Sequence, residues 1–498
     1  MICVTLGRGR HSALIAEWKE AAEEGAELVE LRIDCLRREP DLKRILKERF
    51  TPIVVTVRRG SDGGIFRGDE EKRQRILREA IVMGVDMVDL EIDIADKIPR
   101  FGKTKRIISY HNFKRNPSDL ADILEKARGL AADYVKFAVP APTLDDTCDV
   151  LEAIQSSSAK VPTIGVGMGD WARFTRILNA KYGSAMTYAG FNPERTFAPG
   201  MPQFFDLKDD YYYDQINAET EVYAVIGDPI GHSLSPPVHN AAFRNLEMNK
   251  VMVPIRIPAG KLKESIGGLR RLGVKGMSVT IPHKEPMMEL LTEADRAVDM
   301  TGACNTVVFR DDKLLGYNTD YHAAMDSLEY ALGGRMDPEL SPLLDKQILI
   351  LGAGGAARTL AFGLSRRGSG VTICSRDDEK AVKLASEVGC RSTSWGMRAA
   401  TLVDIMINCT PVGMHPDVDS TPVPPAGFRP GMVVFDVVYR PENTMFLKLA
   451  RDRECVTVTG VEMFIQQAAM QFELYTGMPA PLETMRSTFR RKIGAAQL

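Results

Sequence analysis

Residues 133–142 read DYVKFAVPAP. Tyr134, Val135, Phe137, Ala138 and Val139 are apolar or aromatic and Pro140 closes the run, so the stretch predicts a β-strand. Lys136 lies inside it. A lysine there either snorkels to water from a strand end or is held where it can lose its proton. Burial disfavours the charged amine and nearby cations disfavour it further. A neutral amine can attack a ketone and form a Schiff base.

Seven further β-rich runs surround this one: residues 2–6 (ICVTL), 28–33 (LVELRI), 53–57 (IVVTV), 86–92 (DMVDLEI), 106–110 (RIISY), 162–166 (PTIGV) and 185–189 (AMTYA). Helical patterns lie between most of them. SALIAEWKEAAEEG predicts a helix capped by Ser12 and stopped at Gly25; DEEKRQRILREAIVMG predicts a second; SDLADILEKARGLA predicts one capped by Ser118. Eight β/α units within the first 190 residues or so predict a (β/α)₈ barrel, with reacting groups at the C-terminal ends of the strands. Those ends carry Glu30, Arg32, Arg58, Glu91, His111 and Lys136, and Arg176 opens the helix after the seventh strand. Ionisable groups on successive strand ends predict one shared site.

The 498 residues exceed one core, so two to four domains are expected. A formal net charge of -2 gives no reason to expect nucleic acid or an anionic membrane as partner. The eight cysteines are scattered without a CxxC pair and the seven histidines lack metal spacing, so no metal is expected. With no run suited to a signal peptide or a membrane span, a reducing cytoplasm is the expectation.

After DLKDDYYYDQINAETE, read as the barrel's last helix running into a linker, the chain restarts at VYAVIGDPIGHSLSP. VMVPIRI (251–257) and GMSVTIPHK (276–284) predict further strands. A third module opens at KQILILGAGGAARTLAFGLSRRG, where Gly352, Gly354 and Ala357 match G-x-G-x-x-G/A between a strand and a helix. Ala353, Gly355 and Ala356 complete that turn, which suits a pyrophosphate at a helix N-terminus. The next strand, VTICSR, ends in Ser375 and Arg376 where an NAD binder usually places Asp or Glu. An arginine there suits the 2′-phosphate of NADP(H), and Lys380 offers a second positive charge.

Taken together, residues 1 to about 205 resemble the type I 3-dehydroquinate dehydratase family, through ELRID, TVR ending at Arg58, DLE, SYHNF, VKFAV and MGDWARFTR. Residues from about 222 onward resemble the shikimate dehydrogenase family, through GHSLSP, SVTIPHK, GACNTV, GYNTDY, NCTPVGM, DVVYRPENTMFL and FIQQAAMQF. The resemblance implies a bifunctional enzyme, a lyase and an NADP-dependent oxidoreductase. Its α/β architecture is a TIM barrel at 1–215, a substrate domain at 222–322, a Rossmann NADP-binding domain at 345–445 and C-terminal helices at 446–498 returning to the substrate domain.

The resemblance also implies roles. Lys136 forms the Schiff base, His111 moves protons, and Glu30, Arg32, Arg58 and Arg176 bind substrate. Lys284 and Asp320 form the catalytic pair of the second half. Ser233, Ser235, Thr280, Asn305, Tyr439 and Gln467 bind its substrate, and Thr410, Gly413 and Met414 line the nicotinamide. The ligands are small anions (3-dehydroquinate, 3-dehydroshikimate, shikimate), and a homodimer is compatible with the pattern. Two stretches depart from the family. RRGSDGG carries Asp62 where a glutamate is usual, and FAPGMPQ carries Phe197 and Met201 in the places of a serine and a glutamine, with Gln203 a candidate substitute. Two other readings are a catabolic NAD-dependent quinate/shikimate dehydrogenase fusion and a ligand sensor on the same scaffold.

Overall fold

In a computed structural model of the chain, residues 1–195, 197–231, 233–334 and 340–495 are described. They form two compact units, Met1–Pro236 with Glu247–Val274, and Pro237–Leu246 with Lys275–Leu498.

The first unit opens with eight strands: β1 (Ile2–Leu6), β2 (Leu28–Arg32), β3 (Ile53–Thr56), β4 (Met87–Glu91), β5 (Lys105–His111), β6 (Tyr134–Pro140), β7 (Thr163–Met168) and β8 (Thr187–Gly190). They run in hydrogen-bonded order β7-β6-β5-β4-β3-β2-β1-β8, all parallel. Ala185 N donates to Thr163 O at 2.9 Å across the remaining seam, so the sheet is a nearly closed barrel. Between the strands lie α1 (His11–Glu23), α2 (Leu42–Ile45), α3 (Glu70–Val82), α4 (Leu120–Gly129), α5 (Leu144–Ser158) and α6 (Thr175–Leu178).

Alternation along the strands builds the interior in layers, because successive side chains point to opposite faces. Cys3, Leu28, Val54, Met87, Ile107, Ile164 and Met186 pack with Tyr188 into an apolar plug. Two residues further along, the same face carries Thr5, Glu30, Thr56, Asp89, Ser109 and Lys136, all buried. A polar layer therefore sits directly on an apolar floor.

Two expectations about helix caps fail. Helix α1 begins at His11 with Arg10 in the cap position, and α4 begins at Leu120 after Asp119; neither has a side-chain cap, so Ser12 and Ser118 do not cap. The stretch after β8 does start as a helix, over residues 204–210, before the irregular chain that leads to residue 221. It forms a π-helical turn, Asp206–Asp210, and a 3₁₀ turn, Tyr213–Gln215. Tyr213 is buried and donates to Asn179 Oδ1 at 2.9 Å, so the tyrosine-rich stretch is anchored to the barrel unit by its aromatic residues.

The chain continues through β9 (Glu221–Gly227), enters α7 (Ser235–Asn245), most of which belongs to the second unit, and returns as β10 (Lys250–Arg256) and α8 (Leu262–Arg271). β9 and β10 pair in parallel. α8 lies against α5: Arg271 reaches Asp149 at 2.7 Å and Glu152 at 3.0 Å, and a Cβ on Gly268 would stand 2.7 Å from Leu144. These ion pairs are solvent-exposed and contribute little by themselves; the close helix approach is what makes the contact specific.

In the second unit, β11 (Val274–Val279), β12 (Glu293–Ala294), β13 (Thr306–Arg310) and β14 (Lys313–Tyr317) form a mixed sheet with α9 (Arg296–Thr301) and α10 (Thr319–Ala331). A second, all-parallel sheet holds β15 (Gln347–Leu351), β16 (Gly370–Ser375), β17 (Arg391–Ser394), β18 (Ile405–Asn408), β19 (Val433–Asp436) and β20 (Val456–Val458), in order β17-β16-β15-β18-β19-β20. That is the doubly wound dinucleotide-binding order. Around it lie α11 (Gly355–Arg366), α12 (Asp378–Val388), α13 (Met445–Arg451), α14 (Gly460–Thr476) and α15 (Leu482–Ala495). From α14, Gln471 Nε2 donates to Thr306 Oγ1 at 2.9 Å and to Asn305 O at 3.3 Å. No helix among the described residues is long and apolar enough to cross a membrane.

Candidate active sites

The barrel's polar layer centres on Asp89. One of its oxygens takes both the Lys136 ammonium, at 3.0 Å, and the Arg58 guanidinium, at 2.8 Å; the other accepts from Ser109 Oγ at 2.6 Å. Glu30 lies 4.0 Å from Lys136 Nζ and accepts from Thr5 at 2.9 Å and Thr56 at 2.7 Å. Arg58 also donates to Glu91 at 2.8 Å, and Arg73, reaching in from α3, donates to Glu91 at 2.7 Å. Three cations thus face three carboxylates, which offsets the desolvation that an isolated buried charge would suffer.

The surroundings of Lys136 differ from the cationic ones expected. Its nearest charged partners are carboxylates, and the Tyr188 ring lies 4.0 Å from Nζ. Burial alone would raise the Asp89 carboxyl; Arg58 and then Lys136 override it and hold it well below the ordinary carboxylate range. Because Arg58 shares that oxygen, Asp89 does not depend on Lys136 alone for a cationic partner.

His111 is half-buried, and its buried Nδ1 has no hydrogen-bond partner among the described residues. Burial, then the Arg58 and Lys136 charges, push its pKa well below the usual histidine value. The same cations disfavour the imidazolium, which leaves the ring disposed to accept a proton rather than to hold one. Arg176 is buried at the start of α6, and no carboxylate among the described residues pairs with it. Burial lowers it to about 10. An unpaired buried guanidinium is costly, and an anionic ligand would relieve it. Arg32 instead makes a two-point pair with Asp34, at 2.9 and 2.8 Å.

The departing stretches also have places. Asp62 ion-pairs with Arg59, which in turn holds Asp93 at 2.7 Å. The Phe197 ring lies 5.5 Å from the Arg32 guanidinium, and Met201 packs on the apolar plug. Gln203 bridges to Gly190 at the end of β8, with its Oε1 buried and unpartnered among the described residues. Sequence reasoning missed the direct contacts of Asp89, Ser109 and Tyr188 with this centre. The first two stand two residues before Glu91 and His111, so the strand period could have found them.

In the second unit, a turn closed by His283 N to Thr280 O at 2.9 Å follows β11 and delivers Lys284, whose Nζ lies 2.6 Å from Asp320 Oδ2 at the start of α10. Both are partly exposed. Asn305 is buried; it donates to Thr319 Oγ1 at 3.0 Å and accepts from Thr319 N at 2.8 Å. Thr280 is half-buried and Gln467 buried on α14. Tyr439 packs on Phe464 and Phe489, with ring centroids 5.7 and 5.8 Å away. Ser233 and Ser235 belong to the first unit, where Ser235 N donates to Ser233 Oγ at 3.3 Å.

The glycine-rich turn fits a dinucleotide. Gly352 has φ +113°, and a Cβ there would meet the Cys409 carbonyl oxygen at 2.9 Å. At Gly354 and Gly355 nothing lies within 4 Å of where a Cβ would stand, leaving an open cradle that continues through Ala353 and Ala356 into α11. Ser375 closes β16. Arg376 is exposed and pairs with no carboxylate among the described residues, whereas Lys380 shares its charge with Asp377 at 3.0 Å. Thr410 donates to Asn408 at 2.6 Å, and Asn408 donates to Asp436 at 3.0 Å. Burial pushes the Asp436 carboxyl up to about 7, against hydrogen bonds from Thr444, Val438 and Asn408. This network, also unread in the sequence, holds the turn that leads to Gly413, with φ +87°, and half-exposed Met414.

Comparison with known proteins matches residues 2–218 to the type I 3-dehydroquinase family, 225–307 to the shikimate dehydrogenase substrate binding domain, 347–434 to the coenzyme F420-dependent NADP oxidoreductases and 460–488 to the shikimate 5′-dehydrogenase C-terminal domain. A chloroplastic bifunctional 3-dehydroquinate dehydratase/shikimate dehydrogenase of Arabidopsis thaliana is 36% identical, across 97% of this chain and 83% of its own. An NADP(+) shikimate dehydrogenase of Methanothermobacter thermautotrophicus is 39% identical over 55% of this chain and 98% of its own. A crystal structure of a shikimate dehydrogenase with NADP+ covers 56% of this chain and 97% of its own, at 38% identity and a TM-score of 0.52.

Proposed function

We infer the chemistry of both halves from one premise: the chain belongs to the family of bifunctional 3-dehydroquinate dehydratase/shikimate dehydrogenases. The barrel dehydrates 3-dehydroquinate to 3-dehydroshikimate, and the second half reduces that product to shikimate with NADP(H). The observation that carries the first reading is a lysine amine inside a parallel barrel, against Asp89, with His111 close enough for the Lys136 charge to disfavour its imidazolium.

In this reading the Lys136 ammonium gives a proton to His111 and the free amine attacks the C3 ketone; His111 returns that proton to the carbinolamine oxygen, which leaves as water and gives an iminium. The iminium withdraws electrons, so His111 can take the C2 proton. The resulting enamine expels the C1 hydroxyl, which leaves as water on receiving that proton from His111. Hydrolysis then frees Lys136 and restores the ketone. Arg176 holds the substrate carboxylate, and Glu30, Arg32 and Arg58 shape the pocket.

NADPH, when bound, supplies the hydride for the second half. Lys284, held by Asp320, gives the proton to the carbonyl oxygen and stabilises the charge developing there. Ser233 and Ser235 take the carboxylate, while Thr280, Asn305, Tyr439 and Gln467 complete the substrate contacts. The backbone of 352–357 receives the pyrophosphate, Ser375 and Arg376 the 2′-phosphate, and Thr410, Gly413 and Met414 the nicotinamide side. A cytoplasmic location is part of this reading, in keeping with eight unpaired cysteines.

The assay is direct: 3-dehydroquinate with NADPH, followed for enone absorbance and for NADPH loss, with borohydride trapping and mass spectrometry for the Schiff base. A chain that merely sensed these ligands would give neither signal.

Two expected results follow from the unpaired arginines. Arg176→Met raises the KM for 3-dehydroquinate about thirtyfold, the equivalent of ~2 kcal/mol for a lost charge-assisted hydrogen bond, and lowers kcat less, because the carboxylate contact is made in ground and transition states alike. Steady-state kinetics on the dehydration step checks it; an unchanged KM removes Arg176 from the site. Arg376→Glu raises the KM for NADPH by about thirtyfold or more and leaves that for NADH unchanged or lower. Equal losses with both cofactors would remove Arg376 from the 2′-phosphate and reopen the NAD-linked catabolic reading.

A further inference from the structure

Arg173 has no part in either site as described. It follows the 3₁₀ turn Asp170–Ala172 after β7, one helical turn before Arg176, whose N–H donates to the Arg173 carbonyl at 3.3 Å. Its side chain is exposed and pairs with no carboxylate among the described residues.

Two glycines mark where that side chain lies. A Cβ on Gly200, in the stretch that departs from the family pattern beside the barrel mouth, would stand 2.8 Å from Arg173 Cγ. A Cβ on Gly231, two residues before Ser233, would stand 3.0 Å from Arg173 Nη1. Gly200 has φ +74°, which alone favours glycine; Gly231 is not in the left-handed region, so the guanidinium is the close neighbour that its missing side chain accommodates. The Arg173 stem therefore crosses the 197–203 stretch while its charged end lies against the loop bearing Ser233 and Ser235. All these residues belong to one compact unit, in which β10 also packs on the turn Asp170–Ala172.

We propose that Arg173 is a docking point for a carboxylate in transit, the anionic product of the barrel on its way to the serine-bearing loop. The proposal rests on the two activities assigned above, since it needs the product of one to be the substrate of the other. Arg176 and Arg173 are two unpaired guanidinium groups on one turn of chain, the first buried and the second exposed. A carboxylate released from the first finds the second next, and so stays near a positive charge while it leaves the barrel. On a chain of net charge -2, this local positive field raises the residence of an anion without any general attraction.

The test is the lag before steady NADPH consumption when 3-dehydroquinate and NADPH are mixed with the full chain in a stopped-flow instrument. In the wild type the lag is shorter than the ratio of KM to Vmax of its own reductase half, and it lengthens as salt rises from about 0.05 M to about 0.5 M, since screening weakens an exposed charge. Arg173→Glu keeps kcat and KM of each half on its own added substrate. It lengthens the lag by about tenfold, the lower end of what local charge contributes to encounter, and loses the salt dependence. Arg173→Lys keeps the short lag. An unchanged lag in Arg173→Glu overturns the proposal, and so does a fall in kcat of either half, which would put Arg173 inside a site. Failure of the two activities themselves would look different: the wild type would form no enone from 3-dehydroquinate, or would consume no NADPH with 3-dehydroshikimate.

Discussion

Lys136→Ala is expected to lower dehydration of 3-dehydroquinate by about 10⁴-fold, ~5.5 kcal/mol in activation free energy, while added 3-dehydroshikimate is reduced at the wild-type rate. The size of the effect follows from the covalent route. Without the amine there is no iminium, and the C2 proton then has only an ordinary ketone to acidify it. Among the described residues no other lysine stands in the polar layer formed by Thr5, Glu30, Thr56, Asp89 and Ser109, so none can substitute. Truncation at this position often destabilises a buried network, but Asp89 keeps Arg58 and Ser109 as partners, so the charge left behind is not orphaned. Borohydride with substrate adds the mass of the reduced adduct to the wild type and not to the variant. Dehydration at the normal rate in the variant would end the Schiff-base reading.

Lys284→Met is the mirror experiment. It removes the proton donor and keeps the length of the side chain. General acid catalysis of this kind is worth about 10²–10⁴-fold, so kcat for reduction of 3-dehydroshikimate falls by about 10³ with a smaller change in KM. The barrel continues to form enone. Asp320 is partly exposed, so its carboxylate is solvated when the 2.6 Å pair is lost, and the fold is not expected to suffer. Solvent isotope effects and kcat together separate this role from a binding role; a change confined to KM would make Lys284 a substrate contact only. Mixing the Lys136→Ala and Lys284→Met chains restores the conversion of 3-dehydroquinate to shikimate, because each supplies the step the other lacks.

The strands of the barrel were legible because side-chain alternation leaves a period-two record in the sequence, and the charged residues at their ends broke the apolar pattern where a barrel places its chemistry. The same period names which face a residue takes and not whom it meets there. Asp89 is the partner of Lys136 because β4, β5 and β6 lie side by side with a particular stagger, and Arg73 joins Glu91 from a helix. The helix starts at His11 and Leu120 missed the expected serine caps, since a cap contributes only about 1 kcal/mol and tertiary packing outweighs it.

What the amino-acid order indicated by itself is the run of barrel strands, the glycine turn and the candidate reacting groups, all short-range properties of neighbouring residues. Only the tertiary structure decided which charges pair. Lys136 and Arg58 both went to Asp89, and Arg73 went to Glu91 from a helix, while Arg176, Arg376 and Arg173 were left unpaired among the described residues. Pairing depends on distances of a few ångströms between groups far apart in the chain, and Coulomb energies at that range are set by burial and position, which no local pattern encodes.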